Sequence, residues 1–181
     1  MPELTARVLD EQDWPIYRVV RLAALQESPG VFGSTYDQEA AADQTYWRSQ
    51  LTAARRVVAE LDGSPCGVVA VGSFQQEPGS VELFGLWVDP KARSIGVAGR
   101  LVDTAATLAA VEGATQMYSW VGTENGPAIG FATGFGFRVT SHRRPATSGD
   151  QALGDTEIAL VLPLEDDPHI VPNATAGRLR G

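Results

Sequence analysis

The sequence predicts an α+β fold in which helices interrupt a β-sheet. Short β-rich runs bounded by turn signals indicate strands, and other segments place apolar residues at helical spacing. A length of 181 residues, 44% of them hydrophobic, suits one globular domain. We expect that domain to cover residues 1–164. Residues 165–181 lack any periodicity and are expected to form a flexible tail.

The first half of the chain is predicted to hold a strand, two helices and a hairpin. Residues 7–9 form the strand, and Asp10, followed by Asp13 at the capping-box position, starts the first helix. The core face of this helix carries apolar residues at helical spacing, namely Ile16, Val19, Val20 and Ala23. A second helix over 43–51 precedes a hairpin of strands 56–61 and 67–74.

The second half is organised around a mostly apolar strand, residues 81–88, which we expect near the middle of the sheet. Asp89-Pro90 ends this strand because proline has no N–H to donate. The following helix has one apolar stripe through residues 98–109 and ends at Gly113. The remaining expected elements are strands at 117–121, 135–139 and 156–162, a short helix at 127–132 and a polar loop at 141–155.

Charge and cysteine content exclude several classes of function. The formal net charge of −8 argues against a general nucleic-acid binder or a protein that binds anionic membranes. Cys66 is the only cysteine, so no disulfide forms within the chain, and no cysteine–histidine cluster has zinc-ligand spacing. Without a signal-peptide profile or an apolar run of about 20 residues, we expect a cytoplasmic protein that needs no metal.

The segment from Leu86 to Leu101 is predicted to form an anion-binding site. A central strand ends there, and a glycine-containing loop leads into a helix whose first N–H groups have no partner within the helix. Gly96 and Ala98 leave room for a phosphate, and Arg93 adds a positive charge. The pattern is neither a Walker loop nor a Gly-x-Gly-x-x-Gly fingerprint. An ordinary strand-to-helix loop with small residues is the alternative interpretation.

Two motifs together resemble a known family. Arg93-x-x-Gly96-x-Ala98, after a strand ending in Trp-Val-Asp-Pro, resembles the acyl-CoA signature of the GNAT family of N-acetyltransferases. The block from Asn125 to Phe137 resembles the Asn-x-x-Ala…Gly-Phe segment of the same family. The resemblance extends over roughly residues 3–163, with the elements in the same order.

The resemblance implies a mixed central sheet that splays in a V between strands 81–88 and 117–121, with flanking helices. Acyl-CoA, here acetyl-CoA as co-substrate, would lie in that gap. The backbone of residues 93–98 would hold the pyrophosphate, and the strand at 86–88 would pair with the pantetheine amides. Trp87 would pack on a sheet face. The implied cofactor-binding residues are Leu86, Trp87, Val88, Arg93, Ser94, Ile95, Gly96, Val97, Ala98, Asn125 and Phe131.

The implied reaction is direct attack of a primary amine on the acetyl thioester. An alkylamine is mostly protonated at pH 7, so a base must take up a proton. Glu82, on the strand beside the cleft, is our candidate; a solvent-facing carboxylate is the alternative. Many family members use a tyrosine to protonate the departing thiolate, and Ala132 aligns with it here. Tyr118 and Ser119 are candidate substitutes, of which strand alternation lets only one face the cleft.

The acceptor and the partners stay open at this point. A small-molecule amine and an N-terminal amine both fit the implied reaction, and the acidic composition favours a basic acceptor. No nucleic acid or membrane partner is expected. A homodimer is expected only because members of the resembled family often form one. Because of Ala132, a non-catalytic acyl-CoA-binding or regulatory module on the same fold is the alternative function.

Overall fold

A computed structural model of the chain describes residues 1–146 and 154–164. Within them, strands and helices alternate much as the sequence predicts. The strands are β1 Leu4–Val8, β2 Arg55–Leu61, β3 Ser64–Ser73, β4 Ser80–Val88, β5 Gln116–Gly122, β6 Arg138–Pro145 and β7 Thr156–Pro163. The helices are α1 Trp14–Glu27, α2 Tyr36–Ala40, α3 Gln44–Ala53, α4 Val97–Val111 and α5 Gly126–Phe135.

The seven strands form one open mixed sheet in the order β1-β2-β3-β4-β5-β7-β6. Every neighbouring pair is antiparallel except β4 and β5, which run parallel. Apolar residues are buried on both faces of the sheet. One core lies beneath α4 and includes Leu101, Met117 and Leu160; the other lies beneath α1 and α3 and includes Val58 and Trp47. The predicted α+β class and mixed central sheet are confirmed.

The parallel pair at the centre of the sheet is short. Strands β4 and β5 pair only at Ser80–Gln116, Val81–Met117 and Glu82–Tyr118. Beyond Glu82, β4 continues for six residues without a partner on that side, while β5 stays paired with β7. The two strands therefore diverge, and the V-shaped gap implied by the family resemblance is present.

A bulge in β4 shapes one side of this gap. Between the pairs Val68–Trp87 and Ala70–Phe84, β3 supplies one residue whereas β4 supplies Gly85 and Leu86. Gly85 has a φ of +64°, a backbone conformation that costs other residues about 1–2 kcal/mol. The extra residue shifts the alternation of side chains, so that Phe84 and Trp87 share a face although three positions separate them.

We expect Gly85→Ala to lower the free energy of unfolding by about 1–2 kcal/mol, because alanine pays the cost of the left-handed conformation. Chemical denaturation measures this. Gly130→Ala in the interior of α5 is the matched control. Its Cβ meets nothing within 4 Å, so this variant should gain about 0.5–1 kcal/mol. Equal stability changes in both variants would contradict the role of the bulge.

The structure corrects several predicted elements. Helix α2 was not predicted; it begins at a capping box in which Thr35 and Gln38 exchange hydrogen bonds. Asp10 and Asp13 do form the predicted capping box, but around a 3-10 turn that precedes α1. Val19 is 60% exposed and does not belong to the core face of α1.

The last strands differ most from the prediction. Residues predicted as the strand 135–139 instead end α5 and begin β6, which continues to Pro145 through part of the predicted polar loop. The rest of that loop, residues 147–153, and the predicted tail, 165–181, lie outside the described residues. The single domain over residues 1–164 stays a prediction. Among the described residues, no helix is long and apolar enough to cross a membrane.

Candidate active site

Two cavities meet at the point where β4 and β5 separate. The first, of about 330 Å³, is the cleft between the diverging strands and is bounded by α5. The second, of about 520 Å³, lies between the sheet and α1. Val31, Phe32, Glu82, Phe84, Gly85 and Arg144 line both cavities. A molecule in the cleft and a second molecule in the α1-side pocket would therefore meet beside Glu82 and the β4 bulge.

The loop that connects β4 to α4 presents free backbone N–H groups. Among the described residues, those of Ser94, Ile95 and Gly96 find no acceptor, and no side chain caps α4. Gly96 is the N-cap with a φ of +90°, a backbone conformation that favours glycine, and a Cβ there would meet no atom within 4 Å. Because no acidic residue lies in its first turn, this helix N-terminus suits an anion.

Arg93 is held by a network at the mouth of the loop. Its Nε donates to the Val88 carbonyl at 3.0 Å, and its guanidinium pairs with Glu27 at 3.1 Å. Glu27 also accepts hydrogen bonds from the Trp87 indole and from Ser28. These hydroxyl and indole donors, helped by the charge of Arg93, lower the pKa of Glu27. Trp87 is only 6% exposed, so its side chain packs on the sheet as expected.

Helix α5 forms one wall of the cleft and carries the second motif. Asn125 is its N-cap, with the side-chain oxygen accepting from the Ala128 N–H at 3.3 Å, and it also lines the cleft. Phe131, 40% exposed, and Ala132, 7% exposed, line the same wall. Leu86 lies opposite on β4. The structure thus places the second motif and the strand that precedes the first motif at one cleft, whereas residues 93–98 do not line it.

Glu82 occupies the junction of the two cavities. It is the last β4 residue paired with β5, and its side chain is half-buried. Burial raises the pKa of this carboxyl group, the charge of Glu157 adds to the effect, and Arg144 opposes it. A carboxylate with a raised pKa beside a cleft is a suitable proton acceptor.

The structure separates Tyr118 from Ser119. Tyr118 is stacked on Phe74, with ring centroids 4.1 Å apart, and its hydroxyl donates to Glu77. Burial and that carboxylate raise the pKa of Tyr118 to about 12. Tyr118 lines neither cavity, whereas Ser119 lines the cleft. We therefore carry only Ser119 forward as a candidate proton donor to the thiolate.

We expect Tyr118→Phe to lower the free energy of unfolding by about 1 kcal/mol, because a part-buried hydrogen bond is lost, and to leave turnover unchanged. Ser119→Ala should instead lower kcat and preserve stability. Denaturation and steady-state kinetics on both variants measure the difference. Loss of kcat in Tyr118→Phe alone would reverse the assignment.

Three other titratable groups, Glu39, Cys66 and His142, line neither cavity. Glu39 is buried and pairs with Arg21 at 3.0 Å, so it is not a free base. Burial raises the pKa of the Cys66 thiol, which favours its neutral, unreactive form. His142 is exposed on β6. No group of three His, Cys, Asp or Glu side chains suited to a metal ion occurs in the described part of the chain.

Three residues at the site were missed by sequence reasoning. Gly85 shapes the junction, and Arg56 and Arg144 line the α1-side pocket. A glycine inside an apolar strand is a signal for a bulge. An arginine beginning the run Arg56-Val57-Val58-Ala59 is a charge in an otherwise core-forming strand, and it could have marked Arg56. No comparable signal marks Arg144.

Residues 18–137 match the model of a family described as the acetyltransferase (GNAT) family. No curated protein sequence matches the chain. Several solved structures share the fold. One is an N-acetyltransferase from Staphylococcus aureus Mu50, with a TM-score of 0.65 and 20% identity over 90% of this chain and 99% of that one.

Two further structures are similar to the same extent. A protein from Salmonella typhimurium, solved with its cofactor acetyl-CoA, has a TM-score of 0.68 and 20% identity over 94% of this chain and 98% of that one. The ribosomal-protein-alanine N-acetyltransferase from Brucella melitensis has a TM-score of 0.66 and 17% identity over 88% of this chain and 99% of that one. At such identities the likeness concerns the fold.

Proposed function

Because this chain belongs to the acetyltransferase (GNAT) family, we propose that it transfers the acetyl group of acetyl-CoA to a primary amine. The observation that carries the proposal is the opening of the β4–β5 pair after Glu82, on a strand that leads through residues 89–96 into an α4 N-terminus with free N–H groups. An edge of unpaired strand and a helix N-terminus suit the two parts of a CoA molecule, its amide-bearing arm and its pyrophosphate.

In the proposal, the loop of residues 93–98 binds the pyrophosphate. Leu86 and the Val88 backbone follow the pantetheine arm, and Asn125 and Phe131 contact it from α5. The Val88 carbonyl already accepts from Arg93, so Arg93 acts both as a charge at the mouth and as a brace for the strand. Trp87 contributes only its backbone, since its side chain is buried against α1.

Glu82 is the proposed base. Its position at the junction lets it take a proton from an amine in the α1-side pocket, directly or through water, as the nitrogen attacks the thioester carbon. The C–S bond then breaks and the thiolate leaves along the cleft. Ser119 or solvent returns a proton to the sulfur, because Ala132 has no group to do so.

A second candidate function is a non-catalytic acyl-CoA-binding module. The buried methyl group of Ala132, at the position where many family members carry a tyrosine, favours it. Both candidates place acyl-CoA in the same cleft and need no metal. They differ in whether thiol is released.

A screen of thiol release over an amine library, with acetyl-CoA thermal stabilisation measured in parallel, tests the proposal. Stabilisation together with thiol release in the presence of some amine supports catalysis. Stabilisation without release from any amine supports the binding module. Absence of stabilisation at millimolar acetyl-CoA would rule out both.

The proposed acceptor is a small-molecule amine or an N-terminal amine. The similarity to a ribosomal-protein-alanine N-acetyltransferase supports the second only through a shared fold. We propose a cytoplasmic protein with no nucleic-acid or membrane partner, in keeping with its net charge of −8. A homodimer remains a proposal to be measured by light scattering.

A further inference from the structure

One arginine in the α1-side pocket has no counter-ion among the residues that the structure describes. Arg56 is 7% exposed, and its guanidinium lies between the rings of Tyr17 and Phe84, at 5.2 and 5.4 Å from their centroids. Its side chain reaches Gln50 only at 3.5 Å, and within the described residues its Nε has no hydrogen-bond partner. Arg56 nevertheless lines the largest cavity described above.

The other two arginines of this pocket are already neutralised. Arg21 forms a two-bond pair with Glu39, and Arg144 pairs with Glu157 at 2.6 Å. In the described part of the chain, no carboxylate oxygen lies within 4 Å of the Arg56 guanidinium. Among the described residues that line the pocket, the charged groups without an ion pair are therefore one buried cation, Arg56, and one carboxylate, Glu82, which the more distant charges of Arg144 and Glu157 influence.

A buried guanidinium without an anion is costly, so this arrangement needs a physical reason. Aromatic rings stabilise a cation through their faces but leave its N–H donors unsatisfied. Five N–H donors in a fixed fork match a carboxylate. An anion that enters from the pocket would satisfy Arg56, and among the described lining residues Glu82 is the one carboxylate that would repel it.

Sheet geometry places the two charges at opposite ends of one surface. Arg56, Ala70 and Phe84 are in register across β2, β3 and β4, so their side chains share a face. Glu82 lies two residues before Phe84 on that face. Strands are about 4.8 Å apart, which sets Arg56 and Phe84 about 10 Å from each other at the backbone. The Arg56 side chain spans part of that distance and reaches the Phe84 ring.

We propose that Arg56 binds the carboxylate of the acceptor, and that the acceptor is a free amino acid whose amino group faces Glu82. This assignment rests on the proposed acetyl transfer and narrows its substrate class. A zwitterion places its cationic nitrogen at Glu82 and its carboxylate at Arg56, which matches the two lining charges that form no ion pair within the described residues. The N-terminus of a protein offers a neutral peptide group at the position where a free amino acid offers the carboxylate.

The test compares each common L-amino acid with its carboxamide as acceptor, in the wild type and in Arg56→Gln. Arg55→Gln is the matched control, since Arg55 is the preceding residue, is exposed and pairs with Glu112 away from the pocket. We expect the wild type to favour at least one amino acid over its amide in kcat/KM. Arg56→Gln should reduce that preference by about 30-fold or more, because a buried charge pair is lost.

The ratio of acid to amide is the informative quantity. The two acceptors differ in amine basicity, but this difference is the same in every variant and cancels. A purely structural Arg56 would alter stability and leave the ratio unchanged. Thermal unfolding and acetyl-CoA stabilisation of Arg56→Gln show whether the variant is folded. If it does not fold, Arg56→Lys, which retains the charge and loses the fork, should show a smaller reduction.

Failure of this assignment can be told from failure of acetyl transfer. Turnover of other amines with no preference for a carboxylate would overturn the assignment and leave the proposed function standing. If no amine is acetylated, ligand binding tests the carboxylate site. Thermal stabilisation by an N-acetyl amino acid would support this site alone, provided that the corresponding amide does not stabilise the protein and that Arg56→Gln abolishes the effect. Equal stabilisation by acid and amide would overturn the site as well.

Discussion

Gly96→Glu is expected to abolish stabilisation of the protein by acetyl-CoA. Gly96 is the N-cap of α4 and lies among the N–H groups proposed to bind the pyrophosphate. A carboxylate there would repel the phosphates and occupy the space that glycine leaves open. Juxtaposed like charges cost several kcal/mol, so affinity should fall by at least about 100-fold. Thermal shift and calorimetry with acetyl-CoA measure the change.

Gly113→Glu is the matched control for this experiment. Gly113 follows the other end of α4, has a φ of +94° and has open space around it. The same side chain therefore imposes the same charge and a similar backbone strain about 22 Å from the loop, at 1.5 Å per helical residue. Both variants should lose similar stability, but Gly113→Glu should keep its affinity for acetyl-CoA. Retained affinity in Gly96→Glu would refute the placement of the pyrophosphate.

The parts of the site that could be predicted from sequence are those encoded by neighbouring residues. The strand-to-helix loop carrying Arg93 and Gly96, and the block that begins at Asn125, are contiguous motifs whose chemistry follows from local backbone geometry. The cleft between β4 and β5 could be expected only from the family resemblance, because it depends on how these two strands pair. Strand alternation alone could not choose between Tyr118 and Ser119: Ser119 lines the cleft and Tyr118 does not, but Trp120, Val121 and Gly122 line it as well.

The remainder depends on contacts that are distant in sequence. Val19 has the right helical spacing but lies on the solvent side of α1, since the sheet meets the helix along Tyr17 and Val20 instead. The alternation of side chains along β4 shifts by one residue because β4 has a bulge in its pairing with β3. Arg56 acquires its significance only when α1 and β4 bring Tyr17 and Phe84 to either side of it.

Net charge and the charges of the α1-side pocket favour different acceptors. A formal charge of −8 suggested a basic acceptor, whereas three arginines and one carboxylate line the α1-side pocket. Composition averages over every charged residue of the chain, whereas a pocket is lined by only a few of them. A charged ligand is attracted mainly by the side chains of the pocket that have no ion-pair partner. Composition does not show which side chains are buried or paired.

Glu82→Gln is expected to lower kcat/KM by about 10²–10⁴-fold while acetyl-CoA still stabilises the protein. Glutamine keeps the size of the side chain at the junction but cannot take a proton from the amine. Glu77→Gln is the matched control, because Glu77 lines neither cavity and its amide would still accept from Tyr118. Similar losses in both variants would show a general effect of charge and contradict the base assignment.

The pH profile separates a base from a residue that only binds the amine. A base must be deprotonated, and burial raises the pKa of Glu82 above its ordinary value of 4.5, so activity is lost as pH falls through that raised pKa. The acceptor amine protonates independently, and between the two pKa values the logarithm of kcat/KM should rise with a slope of about 1. Below the pKa of Glu82 the wild-type slope should approach about 2, whereas Glu82→Gln should keep a slope of about 1. If the slope of Glu82→Gln still approaches about 2 at low pH, another group is the base that takes the proton from the amine.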